Sequence, residues 1–203
     1  MMERSDVYTD EFMVDELLGF FGAATETTGN TLQTVLSHLM KDRESLERVR
    51  AEFTQVLEEK KTENPTLSSA TWNEQLRETV CVDSCFDLAY LQMCINEGLR
   101  FQPPGSISPV VFDRDVTLAN KLTIKKGDNI RILHWMIHRS PKEWQRPTEF
   151  LPDRFNPESS LFLTPSGKKR NSMSFLPWSA GKRICFGKTF AESNMKIMLT
   201  YFT

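Results

Sequence analysis

Trp178-Ser179-Ala180-Gly181-Lys182-Arg183-Ile184-Cys185-Phe186-Gly187 sets a single cysteine in a loop of residues suited to turning, charge and close approach. Gly181 and Gly187 can take backbone angles closed to other residues, or let a flat ligand touch the main chain. Arg183 offers a planar fork of donors that matches a carboxylate. Lys188 to Phe202 read as a helix, so Cys185 lies at or just before a helix N-terminus, where unpaired amides and the helix dipole favour negative charge. By composition, Gly-x-Arg-x-Cys-x-Gly should arise by chance in roughly one chain per thousand.

A soft sulfur presented alone in this way suits iron in a porphyrin. The alternative is a buried structural thiol between two turn glycines, since free cysteines are commonly buried. The loop by itself leaves both open.

The 203 residues could make one domain with a sizeable core. Hydrophobic content of 39% and charged content of 26% exclude a disordered chain, and a net charge of −2 gives no case for nucleic-acid binding. None of Cys81, Cys85, Cys94 and Cys185 has histidine partners at zinc spacing. Cys81 and Cys85, one helical turn apart, could pair, but unpaired thiols in a reducing compartment are the simpler reading. No apolar run reaches the length of a membrane span, and no signal-peptide pattern follows Met1.

Apolar residues at helical spacing predict a helix on the order of 45 Å long over Thr9–Met40. Its apolar residues cover more than one face, so it calls for burial inside a larger body. Further helices are expected over Arg43–Lys61, Ala70–Val80 and Leu88–Phe101, the last stopped by Pro103-Pro104. Short strands are expected over Ser108–Phe112, Val116–Leu118, Lys121–Ile124 and Asn129–Leu133, with a Lys126-Gly127-Asp128 turn. A short helix is expected near Pro141–Trp144. The proline-studded stretch from Gln145 to Pro177 is long enough to be functional or packed against something.

Three more groups draw notice. Gly22-Ala23-Ala24-Thr25-Glu26-Thr27-Thr28 is poor helix-forming sequence but lets a flat group lie close. Thr27 can bond the Ala23 carbonyl, and Glu26 could deliver protons there. The other reading is a small-residue helix contact beside an exposed glutamate. Glu97 and Arg100, three apart, read by default as a solvated surface pair. Arg154 sits in a proline-fixed turn, and one carboxylate between two guanidiniums would be a strong clamp if buried.

In this order the groups resemble the cytochrome P-450 family of haem-thiolate monooxygenases, from about Phe12 to Tyr201. Ala23, Ala24, Glu26, Thr27 and Thr28 match the signature of its long central helix. Glu97 and Arg100 match its Glu-x-x-Arg, Arg154 the arginine of its meander, and Gly181, Arg183, Cys185 and Gly187 its cysteine loop. The resemblance implies a mainly α fold with small β-sheets (α-rich α+β), the C-terminal, haem-ligating part of that fold. Residues 1–203 would be a single partial domain lacking an N-terminal half and the extreme C-terminus.

It further implies that Cys185 is the axial ligand of haem b (iron protoporphyrin IX) and that Arg183 partners a propionate. Gly181, Gly187, Trp178 and Ala23 would line the cofactor. Thr27 and Glu26 would steer protons onto dioxygen, while Glu97, Arg100 and Arg154 would form a structural triad. One oxygen atom of O₂ would enter a small hydrophobic organic substrate, with Phe20, Ala23, Thr27 and residues 105–109 at the pocket edge. Electrons would come from NAD(P)H through a reductase docked on the Lys182/Arg183/Lys188 face, with Lys168, Lys169 and Arg170 upstream. The full-length protein would sit on the cytosolic face of the endoplasmic reticulum membrane through an N-terminal anchor that this segment lacks.

Four positions depart from the pattern: Ala24 and Trp178 stand where glycine and phenylalanine are usual, Gly98 weakens its helix by about 1 kcal/mol, and Ser108–Phe112 lacks a propionate-binding arginine. Two other readings stay open: a truncated, non-catalytic haem-binding or interaction fragment, and a peroxide-rearranging variant, against which Glu26 and Thr27 argue.

Overall fold

The structure, a computed structural model, describes residues 8–79 and 88–203. Cys81 and Cys85 lie outside that range. Helix α1 spans Asp10–Leu39 and starts where Thr9 accepts a hydrogen bond from the Phe12 amide at 3.2 Å, with Asp10 and Glu11 in its first turn. Only its C-terminal third is buried, through Thr31, Thr34, Val35 and Leu39, a spacing that makes one helix face. Phe12, Leu17, Leu18 and Phe21 lie exposed on the other two-thirds.

Helix α2 (Arg43–Glu63) is capped by Asp42, and α3 (Trp72–Thr79) by a reciprocal Thr71/Glu74 box. Helix α4 (Ala89–Phe101) has no cap of its own. Glu52 of α2 supplies one from outside, accepting from the amides of Tyr90 at 2.6 Å and Leu91 at 2.9 Å. The core lies where α1, α2, α4 and the last helix, α6 (Lys188–Phe202), meet: Val35, Leu39, Val49, Leu91, Ile95, Leu99, Met195 and Leu199.

Among the described residues the β-strands form two antiparallel pairs. Strand β1 (Ile107–Val111) pairs with β4 (Asn129–Leu133), Ile107 opposite Leu133, and β2 (Val116–Thr117) pairs with β3 (Thr123–Ile124). Gly127 turns the chain at φ +88°, a left-handed angle that favours glycine.

The predicted helix at Pro141–Trp144 is not there. The helix, α5, is His134–Ile137, directly after β4, and residues 141–143 form a turn ending where the Trp144 amide bonds the Ser140 carbonyl. Proline at 141 suits a first turn, but Arg146 at φ +43° and Pro147 deny it continuation.

Gly98, weak in helix propensity, is required by packing. A Cβ there would lie 2.6 Å from Val35 Cγ2, and Val35 is fully buried, so glycine is what lets α4 cross α1 at this distance. Gly98→Ala is expected to destabilise by about 1–2 kcal/mol, overpacking outweighing the helix-propensity gain. Urea midpoints check this, and in a Val35→Ala background the same change at Gly98 should cost much less.

Candidate functional site

The Gly181–Arg183 turn starts from Gly181 at φ +69° and leads to Cys185, whose amide donates to the Trp178 carbonyl at 2.9 Å. Gly187, at φ −80°, is not needed for backbone freedom: a Cβ there would meet only Cys185 Sγ at 3.9 Å, an ordinary contact. Cys185 is exposed and lies just ahead of the α6 N-terminus.

Its surroundings are a cavity of about 210 Å³ between α1, α4, β1, α5 and α6, lined among others by Thr27, Thr28, Trp178, Arg183 and Met195. The sequence-distant helix turn and cysteine loop therefore face each other. Thr27 donates its hydroxyl proton to the Ala23 carbonyl at 2.8 Å, the bond expected from the sequence. Threonine repeats this bond along the helix, from Thr25 to Phe21 and from Thr31 to Thr27, and Thr31 lines the cavity with Thr27.

Not every expected residue reaches the cavity. Glu26 is exposed and, with Ala23, Gly181 and Gly187, is absent from its walls. From this turn of α1 it is Thr27 and Thr28 that line the cavity, and Glu26, about 100° further round the helix from Thr27 and away from Thr28, lies outside it. Phe20 packs instead on Phe186 at 5.2 Å between ring centres. From residues 105–109, Gly105 and Ser108 line the cavity.

The Glu97–Arg100 pair is not solvated. Both side chains and Arg154 are fully buried. Arg100 forks onto Glu97 at 2.7 and 2.8 Å, and Arg154 adds a third bond to the same carboxylate at 3.1 Å. The remaining donors of the two arginines take main-chain carbonyls: Arg100 those of His138, Pro147 and Glu149, and Arg154 those of Gln145, Arg146 and Glu149. Long-range packing, invisible in the local spacing, turns the pair into a staple for the proline-rich stretch. Burial lowers the Arg154 pKa, with Arg100 acting in the same direction.

Arg170 also belongs to this interior rather than to an exposed basic face. It lies 4.4 Å over the Trp144 ring and bonds the Leu161 and Arg154 carbonyls, and burial lowers it to about 10. Lys168, Lys169, Lys182, Arg183 and Lys188 remain exposed.

Sequence reasoning missed α5. His134, buried, lines the cavity; its Nδ1 bonds the Leu176 carbonyl at 2.8 Å and its Nε2 the Ser108 hydroxyl at 2.9 Å. His138 Nε2 accepts from the Leu176 amide at 2.9 Å. Two of only three histidines standing four apart was the available signal.

Burial, with His134 and the nearby arginines adding to it, lowers His138 to about 4. An unfolded imidazole takes its proton near pH 6.5, so between 6.5 and 4 the unfolded chain binds one more proton. Stability is therefore complete above pH 6.5 and falls by about 3 kcal/mol by pH 4 from this group. Urea midpoints between pH 6.5 and 5, above the carboxylate range, should show the slope, and His138→Gln should reduce it, the remainder including His38, whose pKa burial also lowers.

Among the described residues no three histidine, cysteine or acidic side chains cluster to hold a metal. A metal on Cys185 must bring its other ligands with it. A lone sulfur in a cavity with an arginine in its wall therefore fits a macrocycle that carries its own nitrogens and carboxylates. No helix among the described residues is long and apolar enough to cross a membrane.

The sequence profile of the family Cytochrome P450 matches residues 1–202. Cytochrome P450 4F3 of Rattus norvegicus is 32% identical over 197 residues, 97% of this chain and 33% of that protein. Cytochrome P450 4F8 of Homo sapiens is 31% identical over 191 residues, 94% of this chain and 32% of that protein. Leukotriene-B4 omega-hydroxylase 3 of Mus musculus is 32% identical over 191 residues, again 94% of this chain and 32% of that protein. The chain spans about a third of the length of these curated relatives. Since the family match runs through every element described above, the chain belongs to the cytochrome P450 family.

Proposed function

We propose that the protein is a haem-thiolate monooxygenase in which Cys185 is the protein ligand of haem b. The observation that carries this is an exposed sulfur facing the Thr27 turn of α1 across one cavity. Bound haem supplies the oxygen-activating redox chemistry, fed by electrons from NAD(P)H through a reductase.

The chain's own residues have separate tasks. Cys185 provides a soft anionic ligand, and the Arg183 fork, in the same cavity wall, suits a propionate carboxylate. Trp178 covers one side of the loop and packs against the core. Thr27, its proton given to Ala23, keeps oxygen lone pairs for a water in the cavity and is placed to hand on a proton. Glu26, on the exposed side of the same turn, is the entry point for protons from solvent. Lys182 and Lys188, with Arg183 between them, form the positive edge for an acidic reductase, and steering of this kind weakens as salt rises.

The substrate class is a small hydrophobic organic molecule, in keeping with the mostly apolar cavity wall. One relative is named for ω-hydroxylation of leukotriene B4, and hydroxylation of a lipid chain end is the form to assay first. The reading places the full-length protein at the cytosolic face of the endoplasmic reticulum membrane.

The test is the spectrum of the protein expressed from its complete gene, reduced under carbon monoxide. The red-shifted Soret band of thiolate-ligated haem is expected. A band like that of a histidine-ligated globin would overturn the reading.

A further inference from the structure

We propose that His134 and His138 are positioning residues for Cys185, gripping the main-chain N–H and C=O of Leu176 to fix the start of the loop that presents the sulfur. This rests on the reading of Cys185 as the ligand.

The grip follows from hydrogen-bond chemistry. The Leu176 carbonyl can only accept, so His134 Nδ1 carries a proton in the 2.8 Å bond. The Leu176 amide can only donate, so His138 Nε2 is bare and its ring neutral in the 2.9 Å bond. One turn of α5 separates the two rings, which sets them on one side of the helix. His134 is steadied from β1 by Ser108, and the His138 ring packs on Phe175 with centres 5.3 Å apart.

Both ends of this arrangement are anchored. The His138 carbonyl accepts from Arg100 at 3.0 Å, which ties α5 to the buried Glu97 cluster. On the loop side, Pro177 has no amide and a fixed φ, so the orientation set at Leu176 passes to Trp178 with little freedom lost on the way. Ser179 also donates to the Leu176 carbonyl, at 3.2 Å, and the Trp178 carbonyl then holds the Cys185 amide at 2.9 Å. A continuous set of bonds therefore runs from the Glu97 carboxylate to the peptide of Cys185. Neither histidine bonds Cys185 itself; their ring bonds go to Leu176 and Ser108. They act by holding main chain, as the groups behind metal ligands commonly do.

Amide side chains separate this role from packing. Asparagine carries its amide near the Nδ1 position of histidine, and glutamine near the Nε2 position. In the haem-loaded protein expressed from the complete gene, His134→Asn and His138→Gln should therefore keep the bond to Leu176. His134→Gln and His138→Asn should lose it. The two losing variants are expected to convert from the thiolate-type carbon monoxide band to the short-wavelength form roughly tenfold faster than the two keeping variants. Hydrogen exchange at the Leu176 amide, which needs no haem, should be faster in His138→Asn than in His138→Gln.

Equal behaviour of the asparagine and glutamine variants at each position would overturn the inference, because packing alone would then explain both. If the unaltered protein shows no thiolate band, the ligand reading fails, and the Leu176 exchange contrast still decides whether the grip exists.

Discussion

Cys185→Ser is expected to abolish the thiolate-type carbon monoxide band and to weaken haem retention by at least about 100-fold. Serine is nearly isosteric, so the backbone of the loop should survive, but its oxygen is a hard, protonated group and a poor ligand for haem iron. The two other candidate ligands in the cavity wall are already committed: Met195 is buried in the core, and both ring nitrogens of His134 are bonded, to Leu176 and Ser108. Haem titration of the apoprotein followed by absorbance gives the affinity. Cys94→Ala is the matching control: Cys94 is fully buried in the core, where burial pushes its thiol up, and it should leave the spectrum unchanged. Retention of an unaltered band by Cys185→Ser would remove the basis of the assignment.

Glu97→Gln should lower stability by about 3–5 kcal/mol, a large share of the 5–15 kcal/mol that typically holds a domain together. Glu97 supplies the carboxylate that Arg100 and Arg154 both bond, and all three side chains are fully buried. Glutamine keeps the shape but removes the charge, and its amide hydrogens would face guanidinium donors. Two buried cations would then lack a counter-ion, and the Leu151 amide would lose half of a charged acceptor, now at 2.7 Å. Since Arg100 and Arg154 together hold carbonyls from Gln145 to Glu149, the proline-rich stretch should loosen with them. Urea midpoints measure the loss. Proteolysis between Gln145 and Pro177 should accelerate in parallel. By contrast, Arg48→Ala breaks a half-exposed pair with Asp153 and should cost no more than about 1 kcal/mol.

These two sites were legible in the sequence to different degrees. Cys185 stood out because glycine, arginine and cysteine at fixed spacing are individually constrained and jointly rare. The sequence places α6 with its observed bounds and α1 to within a residue at each end, because apolar period, and for α1 the Thr9 cap, are local properties. Glu97 and Arg100 gave only a three-residue spacing, which most helices contain by chance. Their burial depends on Arg154 and on carbonyls some fifty residues away, a fact of tertiary packing. Gly98 shows the same limit from the other side: by propensity it is a weakness, yet contact with Val35 makes it a requirement.

The helix near Pro141 was misplaced because turn and helix share the same start signals, and only the following residues decide whether the ladder continues. Glu26 and Thr27 are adjacent in sequence and so read as one unit, but the helix points them to different surroundings. His134 and His138 carried a visible spacing without any hint of what lay opposite. Their partner is the backbone of Leu176, and backbone partners leave no trace in residue identity.

The sequence alone therefore determined the longer helices, the cysteine loop and the family resemblance, because periods and motifs are written in neighbouring residues. Only the tertiary structure decided that Thr27 faces Cys185 across one cavity, that Glu97 is sealed between two arginines, and that two histidines hold Leu176. Those outcomes depend on which groups exclude water together and which main-chain atoms remain to be paired. Both are set by how distant segments pack.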